Sequence, residues 1–159
     1  MDLRVCLADL EDADHAAAVV DVLDSYASDP IGGGTPLTAG ARGRLVPMLR
    51  EHPAALVLLA LNGRQPVGLA ICFVTISTFR ARPLLNVHDL AVVPGRRGQG
   101  IGRALLQEVE RQARQRGCCK LSLEVQEDNA PALGLYRSFG FVDLVFGDSA
   151  PTRYLVKAI

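Results

Sequence analysis

The stretch that decides the fold reads LLNVHDLAVV (84–93), PGRRGQGIG (94–102) and RALLQEVERQARQRG (103–117). Its first part is rich in valine and leucine, which is typical of a buried β-strand. Pro94 and Gly95 end this strand, because proline lacks a ladder donor and glycine tolerates turn geometry. Apolar residues then recur at the helical period, which predicts an amphipathic helix that stops at Gly117. The predicted buried stripe consists of Ile101, Leu105, Val109 and Ala113.

The turn between this strand and this helix is suited to an anion. Gly98, Gly100 and Gly102 remove side chains where the helix begins, so a ligand can approach the backbone closely. The first N–H groups of a helix have no partner within it, and the helix dipole favours negative charge there. Arginines at positions 96, 97 and 103 add positive charge. The pattern therefore predicts a phosphate or pyrophosphate site.

Spacing excludes two common phosphate-binding loops. A Walker A loop requires glycine, four residues and then Gly-Lys-Ser/Thr, and no such string occurs. The dinucleotide fingerprint Gly-x-Gly-x-x-Gly fails because the third glycine would fall at Arg103. The turn instead carries Arg97-x-x-Gly100-x-Gly102, directly after LAVVP. This pattern resembles the acetyl-coenzyme A signature of the GNAT superfamily of N-acetyltransferases, Gln/Arg-x-x-Gly-x-Gly/Ala.

A second segment strengthens the resemblance. LEVQEDNAPALGLYRSFGF (123–141) is similar to the second GNAT block, in which an asparagine opens a helix and a tyrosine precedes a Gly-Phe step. The two blocks together cover residues 84–141. The chain is therefore identified as a member of the GNAT superfamily, and a single N-acetyltransferase domain is expected over residues 1–159.

The remaining elements are predicted in the same order as in that fold. A strand-helix-strand crossover in the middle requires parallel neighbours. We expect a mixed, mostly antiparallel α/β sheet with a parallel, splayed strand pair in the middle and helices on both faces. The predicted elements are a strand over 3–7; a helix capped by Asp9, with Asp12 completing a capping box, to about Ser28; a flexible loop IGGGTP (31–36); a helix capped by Thr38; a strand over 55–61; an Asn62-Gly63 turn; a strand from Pro66 to about Phe79; a loop over 77–83; a strand over 119–126; a helix capped by Asp128 or Asn129; and closing strands over 141–146 and 152–156.

Composition excludes several classes of function. The 17 basic and 17 acidic residues balance, so no gross basic face for nucleic acid is expected. No apolar run reaches the length that spans a membrane, and the acidic start lacks the basic region of a secretory signal. The four cysteines form no C-x-x-C pair and the three histidines are scattered, so no metal site is predicted. The cysteine usage suits a reducing cytoplasm.

The resemblance implies a cofactor site for acetyl-coenzyme A. Pantetheine is expected in the cleft between the two diverging strands, bonded by the backbone of Leu90, Ala91 and Val92. Asn129 is expected to contact the pantetheine arm, and Tyr136 to lie near the thioester sulfur. The backbone N–H groups expected to hold the pyrophosphate are those of Arg97, Gly98, Gln99, Gly100, Ile101, Gly102 and Arg103.

Transfer of an acetyl group from acetyl-coenzyme A to an amine needs a base for the amine proton, a stabilised oxyanion and a proton for the leaving thiolate. Tyr136 is the predicted acid, because a phenol and a thiol have comparable acidity. His88 is the first choice for the base, because an imidazole is mostly neutral at working pH. Glu124 and a water chain without a dedicated base are the alternatives. Asn86 falls where histone-type members carry a glutamate, and Asp89 is expected on the other strand face in a structural role.

The sequence leaves the acceptor open. The leading hypothesis is direct acetyl transfer, in a ternary complex, to a primary amine of a small molecule or a peptide. The alternative from another class is a non-catalytic module of the same fold that binds or senses acyl-coenzyme A. Transfer of another acyl group, or to another acceptor atom, is a third reading. The oligomeric state is also open, and a homodimer is one of the states that the resemblance allows.

Overall fold

A five-stranded mixed sheet is formed by residues within 3–123 of the structure, a computed structural model that describes residues 2–158. Neighbouring strands run in sequence order, antiparallel from the first to the fourth, and the fifth is parallel to the fourth. The predicted α/β class is thereby confirmed. The strands are β1 (Leu3–Leu7), β2 (Ala55–Asn62), β3 (Gln65–Ser77), β4 (Arg82–Val92) and β5 (Leu121–Leu123). The α-helices are α1 (Ala13–Ser28), α2 (Ala39–Glu51), α3 (Ile101–Gln115) and α4 (Ala130–Ser138), and a short 3-10 helix spans Pro30–Gly32.

The chain divides into two units, residues 2–123 and 124–158, which are described separately. In the first unit, β2 and β3 are buried on both faces. Leu58 and Val67 belong to the core under α3, together with Leu105 of that helix. Leu59 and Leu69 belong to the core on the opposite face, under α1 and α2. Alternate residues of a strand point to opposite faces, so helices cover both sides as predicted.

A β-bulge interrupts the pairing of β3 with β4. Cys72 pairs with Val87, whereas its neighbour Ile71 pairs with Asp89, so His88 is an extra residue on β4. The bulge shifts by one residue the alternation that decides which residues of β4 point to which face of the sheet. Leu85 and Val87 face the α3 core before it, and Leu90 and Val92 pack against the same core after it.

The helix caps agree with the predictions except at α1. Asp12, rather than Asp9, caps α1 by accepting a hydrogen bond from the His15 N–H at 2.9 Å. Asp9 does not cap the helix because its carboxylate accepts from the Glu11 N–H at 3.0 Å, one turn earlier. Thr38 caps α2 as predicted. Of the two candidates at α4, Asn129 is the cap.

Two predicted boundaries around β4 and β5 are also corrected. The connection between β3 and β4 spans residues 78–81 rather than 77–83, so Arg82 lies in β4 and donates to the Gly117 carbonyl at 3.0 Å. β5 has three residues rather than the eight predicted over 119–126. Its ladder with β4 runs only along Leu85–Val87, and a strand ends where its ladder partners end.

The second unit contains α4 and the segment that follows it. The predicted closing strands over 141–146 and 152–156 are wrong, because the described part of this segment, residues 139–158, contains no strand. The Thr152 N–H donates to the Leu144 carbonyl at 3.0 Å, but a strand requires a continuous ladder, and Leu155 is 85% exposed. Without those strands, the parallel β4–β5 pair lies at the end of the described sheet rather than in its middle. The single-domain organisation stays a prediction.

Candidate active site

The turn after β4 has the backbone geometry of an anion site. Gly95, Gly98 and Gly100 have φ values of 81°, 75° and 82°, in the left-handed region that favours glycine. No atom outside the adjacent residues would lie within 4 Å of a Cβ placed on any of them, so the surface of the turn is open. Gly100 is the N-cap of α3, and no side chain caps this helix. A helix N-terminus that no side chain caps is suited to an anionic ligand.

The arginine side chains of the turn contact neighbouring elements. Arg96 Nη2 donates to Gln65 Oε1 at 2.9 Å. Arg97 Nη1 donates to Asp29 Oδ2, at the end of α1, at 3.2 Å. Within the turn, Gln99 Nε2 donates to the Gly95 carbonyl at 3.3 Å. The Arg96 and Arg97 side chains thus hold the turn in place.

The second half of β4 leaves one backbone edge without a strand partner. Leu90, Ala91 and Val92 pair with β3, but the ladder with β5 stops at Val87. Among residues 2–123, no strand covers the other edge of 90–92. Strand edges carry N–H and C=O groups that an extended, amide-containing ligand can bond.

His88, the predicted base, lies on the bulge and is exposed. Its ring centroid is 5.5 Å from that of Phe73, with an edge-on interplanar angle of 80°. Phe73 also contacts His52, at 4.9 Å between centroids. Asn86, which pairs with Phe73 across the strands, donates from Nδ2 to Ser122 Oγ at 3.1 Å. The bulge thus presents an imidazole to solvent beside an aromatic ring.

Asp89, next to His88, occupies a poorly solvated position. Burial raises the pKa of its carboxyl group, and the neighbouring His88 opposes that shift. Burial, with a smaller contribution from Asp89, also raises the pKa of the Cys72 thiol to about 12. Cys72 is therefore an un-ionised core residue at neutral pH.

The other predicted site residues belong to the second unit. Glu124 is exposed. Asn129 Oδ1 accepts from the Ala132 N–H at 3.2 Å, so its side chain caps α4. Tyr136 is 9% exposed, and its ring lies 5.8 Å from that of Phe141. The roles assigned to these residues by resemblance stay predictions.

Sequence reasoning missed three residues around the first unit's site. Asp29 directly follows α1, and an aspartate before a proline is a common cap, but its pairing with Arg97 depends on tertiary structure. Gly68 lies inside β3, and its residue type is a signal in the sequence. A glycine within a strand often marks a place where another part of the chain or a ligand approaches the backbone closely. Phe73 is an aromatic residue in a strand, and nothing in its spacing distinguishes it from a core residue.

The described residues contain neither a metal-binding cluster nor a membrane-spanning helix. Within residues 2–158, no group of three or more His, Cys, Asp or Glu side chains is arranged to hold a metal ion. Over the same residues, no helix has both the length and the apolar character needed to cross a membrane.

Comparison with known proteins decides the family. The model of the Acetyltransferase (GNAT) family matches residues 20–141, most of the chain. The chain belongs to the GNAT acetyltransferase family. A solved structure described as a probable acetyltransferase superposes on this GNAT chain with a TM-score of 0.79 and 20% identity, over 97% of this chain and 99% of the other. At that identity the likeness supports the fold alone.

Two curated relatives are closer in sequence but match over shorter stretches. Streptothricin acetyltransferase of Streptomyces lavendulae is 49% identical over 57 residues, which are 36% of this chain and 30% of the relative. Thialysine N-epsilon-acetyltransferase of Bos taurus is 36% identical over 83 residues, 52% of this chain and 48% of the relative. The matches therefore span less than half the length of both relatives.

Proposed function

We propose that this GNAT protein is an N-acetyltransferase that moves the acetyl group of acetyl-coenzyme A directly to a primary amine in a ternary complex. The observation that carries the proposal is the turn at 94–100. Its glycines have left-handed φ values, its surface is open, and it leads into a helix that no side chain caps. The signature Arg97-x-x-Gly100-x-Gly102 begins in this turn and ends at the second residue of α3.

Acetyl-coenzyme A fits this arrangement in two parts. Its pyrophosphate suits the N–H groups of residues 97–103, where the helix dipole of α3 adds favourable charge. Its pantetheine arm carries amides that suit the uncovered backbone edge of Leu90, Ala91 and Val92. In this proposal, Asn129 and Tyr136 contact the arm and the thioester. The cofactor supplies an activated acetyl group attached to a thiolate leaving group.

The residues of the chain then perform proton transfer and charge stabilisation. His88, exposed on the bulge, removes a proton from the acceptor ammonium, which frees the nitrogen lone pair for attack on the carbonyl carbon. The N–H of Leu90 or Val92 stabilises the oxyanion that develops there. The bond between carbon and sulfur breaks, and Tyr136 gives the leaving thiolate a proton. Glu124, or a water chain, is the alternative route for the amine proton.

The acceptor is proposed to be an aliphatic primary amine. One relative is named for streptothricin and the other for the epsilon nitrogen of thialysine, and these names support an amine acceptor. Asp89, beside His88, adds a carboxyl group that would attract a cationic substrate when ionised.

A panel of primary amines with acetyl-coenzyme A tests the proposal, with released thiol and acetylated product measured together. We expect stoichiometric thiol and N-acetyl product for at least one aliphatic amine. Tyr136→Phe keeps the ring that packs near Phe141 but removes the hydroxyl, and it should lower kcat about 10²-fold or more. Tight binding of coenzyme A without acetylation of any amine would contradict the enzyme and favour the binding module.

A further inference from the structure

An ion pair connects the turn at 94–100 with a segment far away in sequence. Arg97 Nη1 and Asp29 Oδ2 are 3.2 Å apart, and the two residues are separated by 68 positions. The Asp29 side chain is 14% exposed and that of Arg97 is 38% exposed. The carboxylate end of the pair is thus mostly buried, whereas the guanidinium end is exposed.

Asp29 is also the residue around which the chain after α1 is organised. Its second carboxylate oxygen, Oδ1, accepts from the Ile31 N–H at 3.0 Å. Its carbonyl accepts from the N–H groups of Gly32 at 2.8 Å and Gly34 at 3.0 Å. The segment 30–37, which contains the predicted flexible loop 31–36, thus begins as a hydrogen-bonded 3-10 turn held by one aspartate.

The shape of this segment restricts its movement further. A side chain on Gly32 would collide with the Tyr26 carbonyl, so the 3-10 turn lies directly against the end of α1. The Thr35 N–H donates to the Ala27 carbonyl at 3.0 Å. At the far end, Asp24 Oδ1 accepts from the Leu37 N–H at 2.8 Å, and Asp24 Oδ2 pairs with Arg42 at 2.8 Å.

We infer that Asp29 is a positioning residue that couples the cofactor turn to the segment 30–37. The Arg97 side chain is directed at Asp29, so Arg97 serves the anion site through its backbone N–H while its guanidinium ties the turn to α1. Binding of the cofactor diphosphate then stabilises this conformation of the segment 30–37, and this conformation favours the diphosphate, because coupling between two sites is reciprocal. This inference rests on the proposed binding of coenzyme A.

Hydrogen exchange with and without coenzyme A tests the coupling. In the unchanged protein, coenzyme A should slow exchange in the turn and first helical residues, 95–104, and also in the segment 30–37. In Arg97→Ala, coenzyme A should no longer slow exchange in the segment 30–37. Asp29→Asn keeps an oxygen that can accept from the Ile31 N–H but removes the charge. It should therefore also abolish the slowing at 30–37 and raise the Kd for coenzyme A about fivefold or more.

Two further variants make the result specific. Asp21→Asn removes an exposed carboxylate of α1 that pairs with Arg42 rather than Arg97, and it should leave the Kd unchanged. Arg97→Lys restores a positive charge and should recover part of the coupling.

The possible outcomes separate this inference from the proposed function. Slower exchange at 95–104 without any change at 30–37 in the unchanged protein would overturn the coupling and leave cofactor binding intact. The same holds if Asp29→Asn retains the full ligand effect at 30–37. No change at 95–104 at any coenzyme A concentration would instead overturn the proposed function. If Arg97→Ala does not bind coenzyme A, the result for Asp29→Asn decides, since that variant substitutes no residue of the turn.

Discussion

Gly68 on β3 lies directly under Ile101, the first residue of α3: a Cβ on Gly68 would meet Ile101 Cγ2 at 2.9 Å. The same Cβ would lie 3.1 Å from Leu105 Cδ1 and 3.1 Å from the Ala91 carbonyl oxygen. The glycine therefore allows the N-terminus of α3, which carries the proposed anion site, to pack closely on the sheet.

Gly68→Ala should push the start of α3 away from β3. We expect a loss of about 1–3 kcal/mol in the free energy of unfolding, because added volume strains a packed core. The affinity for coenzyme A should fall as well, since the helix N-terminus moves. Chemical denaturation and calorimetric titration measure the two effects. Gly43→Ala, at an exposed position in α2 with nothing within 4 Å, should stabilise by about 0.5–1 kcal/mol and leave binding unchanged.

The two ends of α3 offer a matched pair of glycine variants. Gly100, before the helix, has a φ of 82°, and Gly117, after it, has a φ of 67°. Alanine should destabilise either position by about 1–2 kcal/mol, because the left-handed region penalises a Cβ. Only Gly100→Ala should also weaken binding of coenzyme A, about tenfold or more. Equal effects of both variants on binding would show that the turn is not the anion site.

Asp89→Asn should stabilise the protein at neutral pH. Burial raises the carboxyl pKa in the folded state above its ordinary value of 3.8, so ionisation above that value costs folding free energy. The cost is absent where the group is protonated in both states. The gain from the substitution should therefore be largest near pH 7 and vanish below about pH 4. Urea denaturation across this range measures it, and a loss of stability at pH 7 would contradict the desolvated carboxyl.

His88 and Glu124 can be distinguished as the base by substitution. If His88 removes the amine proton, His88→Ala should lower kcat by about 10²-fold or more, while Glu124→Gln should leave it nearly unchanged. Stability should change little, because His88 is exposed. The opposite pattern would assign the base to Glu124, and two weak effects would indicate a water chain.

Local pattern predicted much of the fold but not its register. The stripe Ile101, Leu105, Val109 and Ala113 is buried as predicted, because helical periodicity is a local signal. The bulge at His88 could not be predicted, since it arises from the pairing of β4 with β3. The same pairing decides that Leu90 and Val92 face the α3 core, which simple alternation from Leu85 would not give.

The candidate site likewise combines features that the local sequence predicts with features that depend on tertiary structure. The open glycine turn follows from residues adjacent in sequence. The Arg97–Asp29 pair depends on how α1 packs, so the sequence placed the Arg97 charge at the anion but could not indicate its partner. At α1, both Asp9 and Asp12 are good caps in isolation, and an additional turn in which the Asp12 N–H donates to the Asp9 carbonyl decides between them.

Thermal unfolding with and without acetyl-coenzyme A tests the central claim most directly, with ATP and NAD as controls. At a ligand concentration of one hundred times its Kd, binding adds about 2.7 kcal/mol, which should raise Tm by about 5–10 °C for a chain of this size. We predict this shift for acetyl-coenzyme A, a much smaller one for the two controls, and a shift reduced by about half or more in Gly100→Ala at the same ligand concentration. No shift at saturating acetyl-coenzyme A would mean that the turn at 94–100 does not hold the cofactor, and would contradict the proposed acetyltransferase.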